Sequence, residues 1–467
     1  MDSDGNRLER QRVLLICNDV VGENMAGPGI RYWEFARTLG QRFAVTLAVP
    51  PFVPMDAVPF SMGMPSVSIR VCKSAQELRR LLSDCDVVVT LGVVLPFYPF
   101  LVELGKPLVL DIYDPFLLAG LQREAEAGVL EQITAHEKCL EALSIQLRAG
   151  DFFLCAGERQ RDYWLGMLSA MGRVNPYTYQ QDPTLRRLID VVPFGLPREQ
   201  PRRTRAVLKG VYKTIAANDK VILWGGGIWN WFDAPTLIKA MPHILQQRDD
   251  VKLFFMGIKR PNRSVVKMEA VDRAMALSKE LGLYDRYVFF NDWVPYNERQ
   301  NFLLEADVGV SLHLDYVETR FAFRTRLLDY LWAGLPIVAT GGDVMGEALA
   351  AQGLAGLVAP GDVEGVATTI LNLLNNPTWR ADHAARFREV AANYRWDVVV
   401  RPLIDFCASP SFAPDKDYLR QHWLVGDTTQ QGAWRRLLLK GWRALRLGGV
   451  SGVLGQGKEY IRWKMRR

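Results

Sequence analysis

Histidine is scarce in this sequence and cysteine is unpaired. The 467 residues hold five histidines, His136, His243, His313, His383 and His422, none at the spacing of a metal-ligand pair. Six cysteines occur, Cys17, Cys72, Cys85, Cys139, Cys155 and Cys407, and no two form a CxxC. Zinc-ribbon and thioredoxin-like motifs are thereby excluded. Most of these cysteines lie in or beside apolar runs, so they read as reduced, structural thiols of a cytosolic protein. Also missing are a Walker A loop, a GxGxxG with its partner acid, a Ser-His-Asp or catalytic-cysteine arrangement, and any recognised nucleic-acid module. The longest apolar run, "VVVTLGVVLPFYPFLV", is broken by Gly92, Pro96 and Pro99. It predicts a strand, a turn and a helix start rather than a membrane span. Residues 1–11 are polar, mixed in charge and without an apolar signal core, and are expected to be flexible.

What is present is an ordinary globular composition, 49% hydrophobic and 23% charged, in a chain long enough for two or three domains. The formal charge of +6 is unevenly placed. Residues 431–467 hold ten of the 57 basic residues and one of the 51 acidic ones, which leaves 47 basic against 50 acidic elsewhere. At 100° per residue, Trp434, Leu437, Leu438 and Leu445 of that tail share one side of a helix, and Arg435, Arg436, Arg443 and Arg446 the other. A basic amphipathic helix suits an anionic membrane surface, and also a packed helix or a partner contact.

Short apolar runs alternate with amphipathic stretches through the first half. "RVLLICND", "FAVTLAVP", "VSIRVC", "DVVVTLG", "PLVLDIYD" and "DFFLCAG" predict strands, and "IRYWEFARTLG", "SAQELRRLLSD" and "ERQRDYWLGMLSAMG" predict helices. "PREQPRRTRAVLKGVYK" predicts a linker. The alternation then restarts, with strands at "VILWGG", "VKLFFMG", "YVFFND", "VGVSLHL", "LPIVATG" and "GLVAP". Continuous apolar strands alternating with helices predict parallel sheets covered on both faces, in two α/β domains. The expected division is 12–197, a linker at 198–218, 219–407, and an extension at 408–467 carrying the basic helix. Such sheets bind ligands beyond the carboxyl ends of their strands, in the cleft between domains.

Two glycine-rich turns follow the first strand of each half: "VGENMAGPGIRYWEF" with Gly27 and Gly29, and "GGGIWNWFD" with Gly226 and Gly227. Each permits a tight turn, or close backbone approach to a phosphate. "GIKRPN" adds Lys259 and Arg260 after another strand, as anion ligands or as an exposed basic loop. "ETRFAFRTRLLDYLWAGLPIVAT" holds Glu318, Arg324, Arg326 and Asp329 ahead of a helix expected to start near Arg324 and stop at Gly334. These charges fit an anion site at a helix start, or salt bridges within a solvated turn.

The run from "NDWVPYNERQNFLLEADVGVSL" through that stretch to "GLVAPGDVEGVATTILNLLNN" resembles the C-terminal domain of family 4-type glycosyltransferases with the GT-B fold. The order of elements agrees over nearly all of residues 12–407, including "AGPGIRYWEFARTL" and "VVPFGLP". The resemblance implies two Rossmann-like α/β domains facing a cleft, an N-terminal acceptor domain and a C-terminal donor domain. It implies a retaining transferase that takes a sugar from a nucleotide-sugar to a hydroxyl, without a metal or other cofactor. It would place Glu318 by the donor sugar, Asp329 on the ribose and Val294 beside the base. The two acids stand eleven residues apart, farther than in the resembled motif, and Phe321 occupies the shorter distance. Basic residues expected in the turn after the first donor-domain strand are absent from "GGGIWNWFD", which turns attention to Lys259, Arg260, Arg324 and Arg326 for the diphosphate. Where relatives carry a histidine after the strand read here as "LVLDIYDPF", this chain has Asp114, a candidate base or acceptor contact, or a helix N-cap. His313, at a strand end, is a candidate ligand contact or a structural histidine. The expected partners are a nucleotide-sugar donor, a glycan, lipid-linked or small-molecule hydroxyl acceptor, and an anionic membrane surface, with no nucleic acid. The expected setting is cytoplasmic, peripheral on the membrane's inner face, in cell-envelope polysaccharide or glycolipid assembly. A sugar-nucleotide epimerase or a non-catalytic scaffold of the same fold are the alternatives.

Overall fold

The computed structural model describes residues 10–53, 63–103, 105–259, 262 and 269–422. Arg260 and the basic tail from 431 lie outside them. The first sheet contains β1 (Arg12–Ile16), β2 (Ala44–Val49), β3 (Val67–Val71), β4 (Val87–Leu91), β5 (Leu108–Asp111), β6 (Phe152–Cys155) and β7 (Ile189–Val191), in the order β3-β2-β1-β4-β5-β6-β7. The second contains β8 (Lys220–Trp224), β9 (Val251–Phe255), β10 (Val288–Phe290), β11 (Val308–Ser311), β12 (Ile337–Thr340) and β13 (Ala355–Val358), in the order β10-β9-β8-β11-β12-β13. Every named pairing is parallel. β4, β5, β6, β9 and β11 are buried along their whole length, which explains runs too apolar to alternate.

Strand order reverses between β1 and β4 and again between β8 and β11. Neighbouring crossovers leave those points in opposite directions, so each opens a crevice at the sheet's carboxyl edge. The glycine-rich turns follow β1 and β8, at these two crevices. The predicted strands all form; β7, three residues long, is one more. The longest helix among the described residues, Val129–Ala149, has no strong apolar stripe in sequence because only its final turns are buried.

The domains are joined twice. Residues of the first crossing are tied down rather than free. Buried Glu305 accepts hydrogen bonds from the amides of Val207, Leu208 and Lys209, and Asn301 accepts one from Thr204. The second crossing returns the chain to the first domain. Leu196 and Arg395 form a bridge, Trp396 packs against Phe35 and Phe194, and Phe406 stacks on Phe152 at 4.9 Å. The helices Trp396–Val399 and Arg401–Ala408, assigned by sequence to the second domain, thus cover the first. Beyond them Asp415 meets Arg173 in a bidentate pair with both side chains fully buried, so residues 408–422 are not a loose extension.

All six cysteines are free and five are buried. No helix among the described residues is long and apolar enough to cross a membrane.

Replacing Asp415 by Asn leaves Arg173 charged and dry without a counter-ion. The expected loss is about 3–5 kcal/mol in urea unfolding of the intact chain. Wild-type stability of Asp415→Asn would show that the return segment does not hold the first domain.

Candidate active site

Beyond β8 the chain turns through Gly225, Gly226 and Gly227. Gly226 has φ +82°, in the left-handed region where a side chain is strained. The turn is held from below by Tyr330, whose hydroxyl accepts from the Gly225 amide at 2.7 Å and lies within 3.0 Å of Leu223 O and Val310 O. The amides of Gly226 and Gly227 make no hydrogen bond among the described residues. Arg326 opens the helix Arg326–Ala333 and reaches this turn, donating Nη2 to Gly227 O at 2.8 Å. Its guanidinium lies over Phe232 and Trp224, at 3.8 and 4.6 Å from the ring centroids. Among the described residues it has no carboxylate partner, and its Nη1 is buried without a hydrogen bond. Burial pushes its pKa down to about 10, so it remains a cation at neutral pH.

The helix starts at Arg326, two residues later than expected, because the preceding stretch has another use. Residues Val317–Phe321 form a 3₁₀ turn, and Glu318 within it accepts from Arg324 through both oxygens, at 3.2 and 2.8 Å. Both side chains are buried. Arg324 is therefore neutralised inside the loop and is not a free anion ligand, and the Glu318 carboxylate is held rather than open. The turn docks on the first domain. Phe321 O accepts from Gln160 Nε2 at 3.1 Å, and the Phe321 ring packs on Tyr163 at 4.8 Å. Phe321, at the shorter distance from Asp329, thus fastens the loop.

Farther along the cleft, Val294 is buried in the "DWVPY" segment and Asp329 lies on the helix of Arg326. Asp329 Oδ1 receives a hydrogen bond from Arg299 Nε at 3.1 Å, and its side chain is 37% exposed. Lys259 pairs with Asp292 at 2.7 Å on the surface, both more than 60% exposed, so this pair contributes little.

On the first domain, Gly27 opens the helix Gly27–Leu39 beyond β1. At Gly29 a Cβ would stand 2.1 Å from Val20 O, so close backbone approach demands glycine there. Beneath this helix Arg31 makes a buried bidentate pair with Asp111 at 2.6 and 2.9 Å and also donates to Val192 O and Pro193 O. Asp114 is exposed at the carboxyl end of β5. The following helix is capped by Pro115 without a side-chain bond, so Asp114 is not its N-cap. His313 is buried, its amide bonded to Thr340 Oγ1 and its Nε2 3.5 Å from Asp343 Oδ2. Both side chains are 1% exposed, and neither of these two atoms has a hydrogen-bond partner among the described residues.

Sequence reasoning passed over several contacts that span the cleft. Asn262 donates to Asp19 at 2.9 Å, Tyr296 OH to Glu34 at 3.0 Å, and Arg159 pairs with Glu347. Such polar residues carry no local pattern. Among the described residues no three His, Cys, Asp or Glu side chains cluster as a metal site.

Residues 219–376 match the family model for "Glycosyl transferases group 1". That match lies within the second domain. No curated protein matches the chain's sequence significantly. Among solved structures, the trehalose-6-phosphate synthase OtsA superposes with TM-score 0.62 at 14% identity, over 86% of this chain and 100% of its own. HepE from Anabaena, solved in complex with UDP-glucose, gives 0.56 at 14%, over 85% and 99%. WaaG, a glycosyltransferase involved in lipopolysaccharide biosynthesis, gives 0.56 at 16%, over 85% and 100%. At these identities the likeness establishes the fold, and that fold is GT-B.

Replacing Glu318 by Gln is expected to cost the protein about 3–5 kcal/mol, because Arg324 is left buried and unpaired. The double change Glu318→Gln/Arg324→Met should recover most of that in thermal unfolding. No recovery would show that the two side chains do not act as a pair.

Proposed function

We propose that this protein moves a glycosyl unit from a nucleotide-sugar to an acceptor hydroxyl, with retention at the anomeric carbon. The observation that carries the reading is Arg326: a buried cation without an acid, its Nη1 unpartnered, beside the open amides of Gly226 and Gly227. A diphosphate supplies the missing charge and acceptors. Val294 and Asp329 line the same helix-and-loop wall and suit the base and the ribose hydroxyls. The HepE complex with UDP-glucose supports a donor of this class.

In this reaction the bond from the anomeric carbon to the β-phosphate oxygen breaks, and one to the acceptor oxygen forms on the same face. Arg326 and the glycine amides stabilise the charge that collects on the departing diphosphate. The acceptor proton passes to that leaving phosphate, so no protein base is needed and no metal is invoked. Glu318 and Arg324 shape the loop over the glycosyl unit. Asp114, exposed beyond β5, is the residue we assign to an acceptor contact. The basic composition of residues 431–467 favours an anionic membrane surface. With the likeness to WaaG it favours envelope glycan or glycolipid synthesis, at the inner face of the membrane.

A thermal-shift series with UDP, GDP, ADP, CDP and TDP is expected to show stabilisation by at least one of them. Arg326→Ala should weaken that ligand roughly ten- to hundredfold in calorimetry, the worth of a charge-assisted hydrogen bond. No shift with any nucleotide would sink the donor reading. Inverted product stereochemistry in NMR of slowly hydrolysed donor would sink retention.

A further inference from the structure

Asp329 is half-held. Its Oδ1 is fixed by Arg299 Nε, while Oδ2 accepts no hydrogen bond among the described residues. Arg299 is itself unusually constrained for a surface-helix arginine. Its guanidinium lies 3.9 Å from the Tyr296 ring centroid and 4.7 Å from that of Trp332, and Nη1 donates to Tyr296 O at 2.8 Å. Both rings are anchored from elsewhere. The Tyr296 amide donates to Glu23 O and its hydroxyl to Glu34 Oε1, each at 3.0 Å and each on the first domain. Trp332 Nε1 donates to Glu199 O at 2.8 Å, at the entry to the linker. An aspartate is short and can swing about two torsions; a planar cation held against two rings and a backbone carbonyl removes that freedom.

We propose that Arg299 is a positioning residue for donor recognition: it locks the Asp329 carboxylate so that Oδ2 alone faces the ribose hydroxyls, and it does so from a platform set by the first domain and the linker. This rests on Asp329 as the ribose contact. Its consequence is selectivity for ribonucleotides that depends on a residue touching no ligand. A free carboxylate pays the ordering of its side chain when it binds, whereas a clamped one does not. The clamp also ties ribose recognition to docking of the first domain, because Tyr296 cannot shift without breaking its bonds to Glu23 and Glu34.

The test compares calorimetric affinities for UDP and 2′,3′-dideoxy-UDP, or the equivalent pair for whichever base binds best, in the full-length wild type, Asp329→Asn, Arg299→Lys and the double variant. The ratio is taken within each protein, so a general loss of stability does not mimic the effect. Wild type should favour the ribonucleotide about tenfold or more, the scale of one hydrogen bond to a charged group. Asp329→Asn and Arg299→Lys should each bring the ratio near unity, with no further fall in the double variant and with dideoxy affinity nearly unchanged. A preserved ratio in Arg299→Lys beside a collapsed one in Asp329→Asn overturns the proposal and leaves the ribose contact standing. A preserved ratio in Asp329→Asn removes the ribose contact itself, and the clamp falls with it.

Discussion

A charge taken out of water must be met by another, and this molecule is organised around where that rule is obeyed. Arg31 finds Asp111 beneath the first glycine-rich helix, Arg173 finds Asp415 where the chain returns, and Arg324 finds Glu318 under the cleft loop. Each pair joins segments far apart in the fold or closes a loop. Desolvation makes such pairs weak sources of net stability, but losing one partner is severe, so they fix geometry. Arg326 departs from the pattern. It too is buried, rests on two aromatic faces and one carbonyl, and meets no carboxylate among the described residues. Aromatic quadrupoles offset part of its desolvation. The remainder is what an anion in the cleft relieves. Arg161, also buried and without a carboxylate among the described residues, is met by the carbonyls of Ile189 and Thr184, whereas Arg326 Nη1 meets no acceptor among them, and that difference is what favours the proposed ligand position.

The cleft is a joint as well as a binding site. Contacts between domains touch the same loops that line the proposed donor site: Asn262 to Asp19, Phe321 to Gln160 and Tyr163, Tyr296 to Glu23 and Glu34. Beside them, one buried apolar cluster takes in residues of both domains, among them Phe35 and Leu196 of the first and Leu223 and Leu327 of the second. Donor geometry and domain geometry are therefore set by one group of residues, and neither is expected to change alone.

The strands were readable from sequence because a parallel sheet covered on both faces leaves long uninterrupted apolar runs. The two glycine turns were readable because each follows the first strand of its sheet. Their meaning came only with strand order, which puts both at reversals. Arg326 and Asp329 could be placed on the right helix, but nothing local distinguished Arg324 from Arg326. That difference depends on Glu318 folding back within a 3₁₀ turn, over a distance at which no periodic pattern acts. Arg299, Asn262 and Gln160 were illegible for a related reason. Each is an ordinary polar residue on a helix or loop, and its partner lies on another element.

The wide separation between Glu318 and Asp329 has a physical account in these terms. A carboxylate left free by the donor sugar would need solvent or ligand to hold its charge. Here the carboxylate moves earlier in the chain, where Arg324 neutralises it, and the position nearer Asp329 is given to Phe321. An aromatic ring there can pack on Tyr163 across the cleft, which no carboxylate could do without burying a charge against an apolar surface. Phe321 thereby gives the loop a mechanical link to the first domain, and in the proposed reaction the charge of the leaving diphosphate is left to Arg326 and the glycine amides.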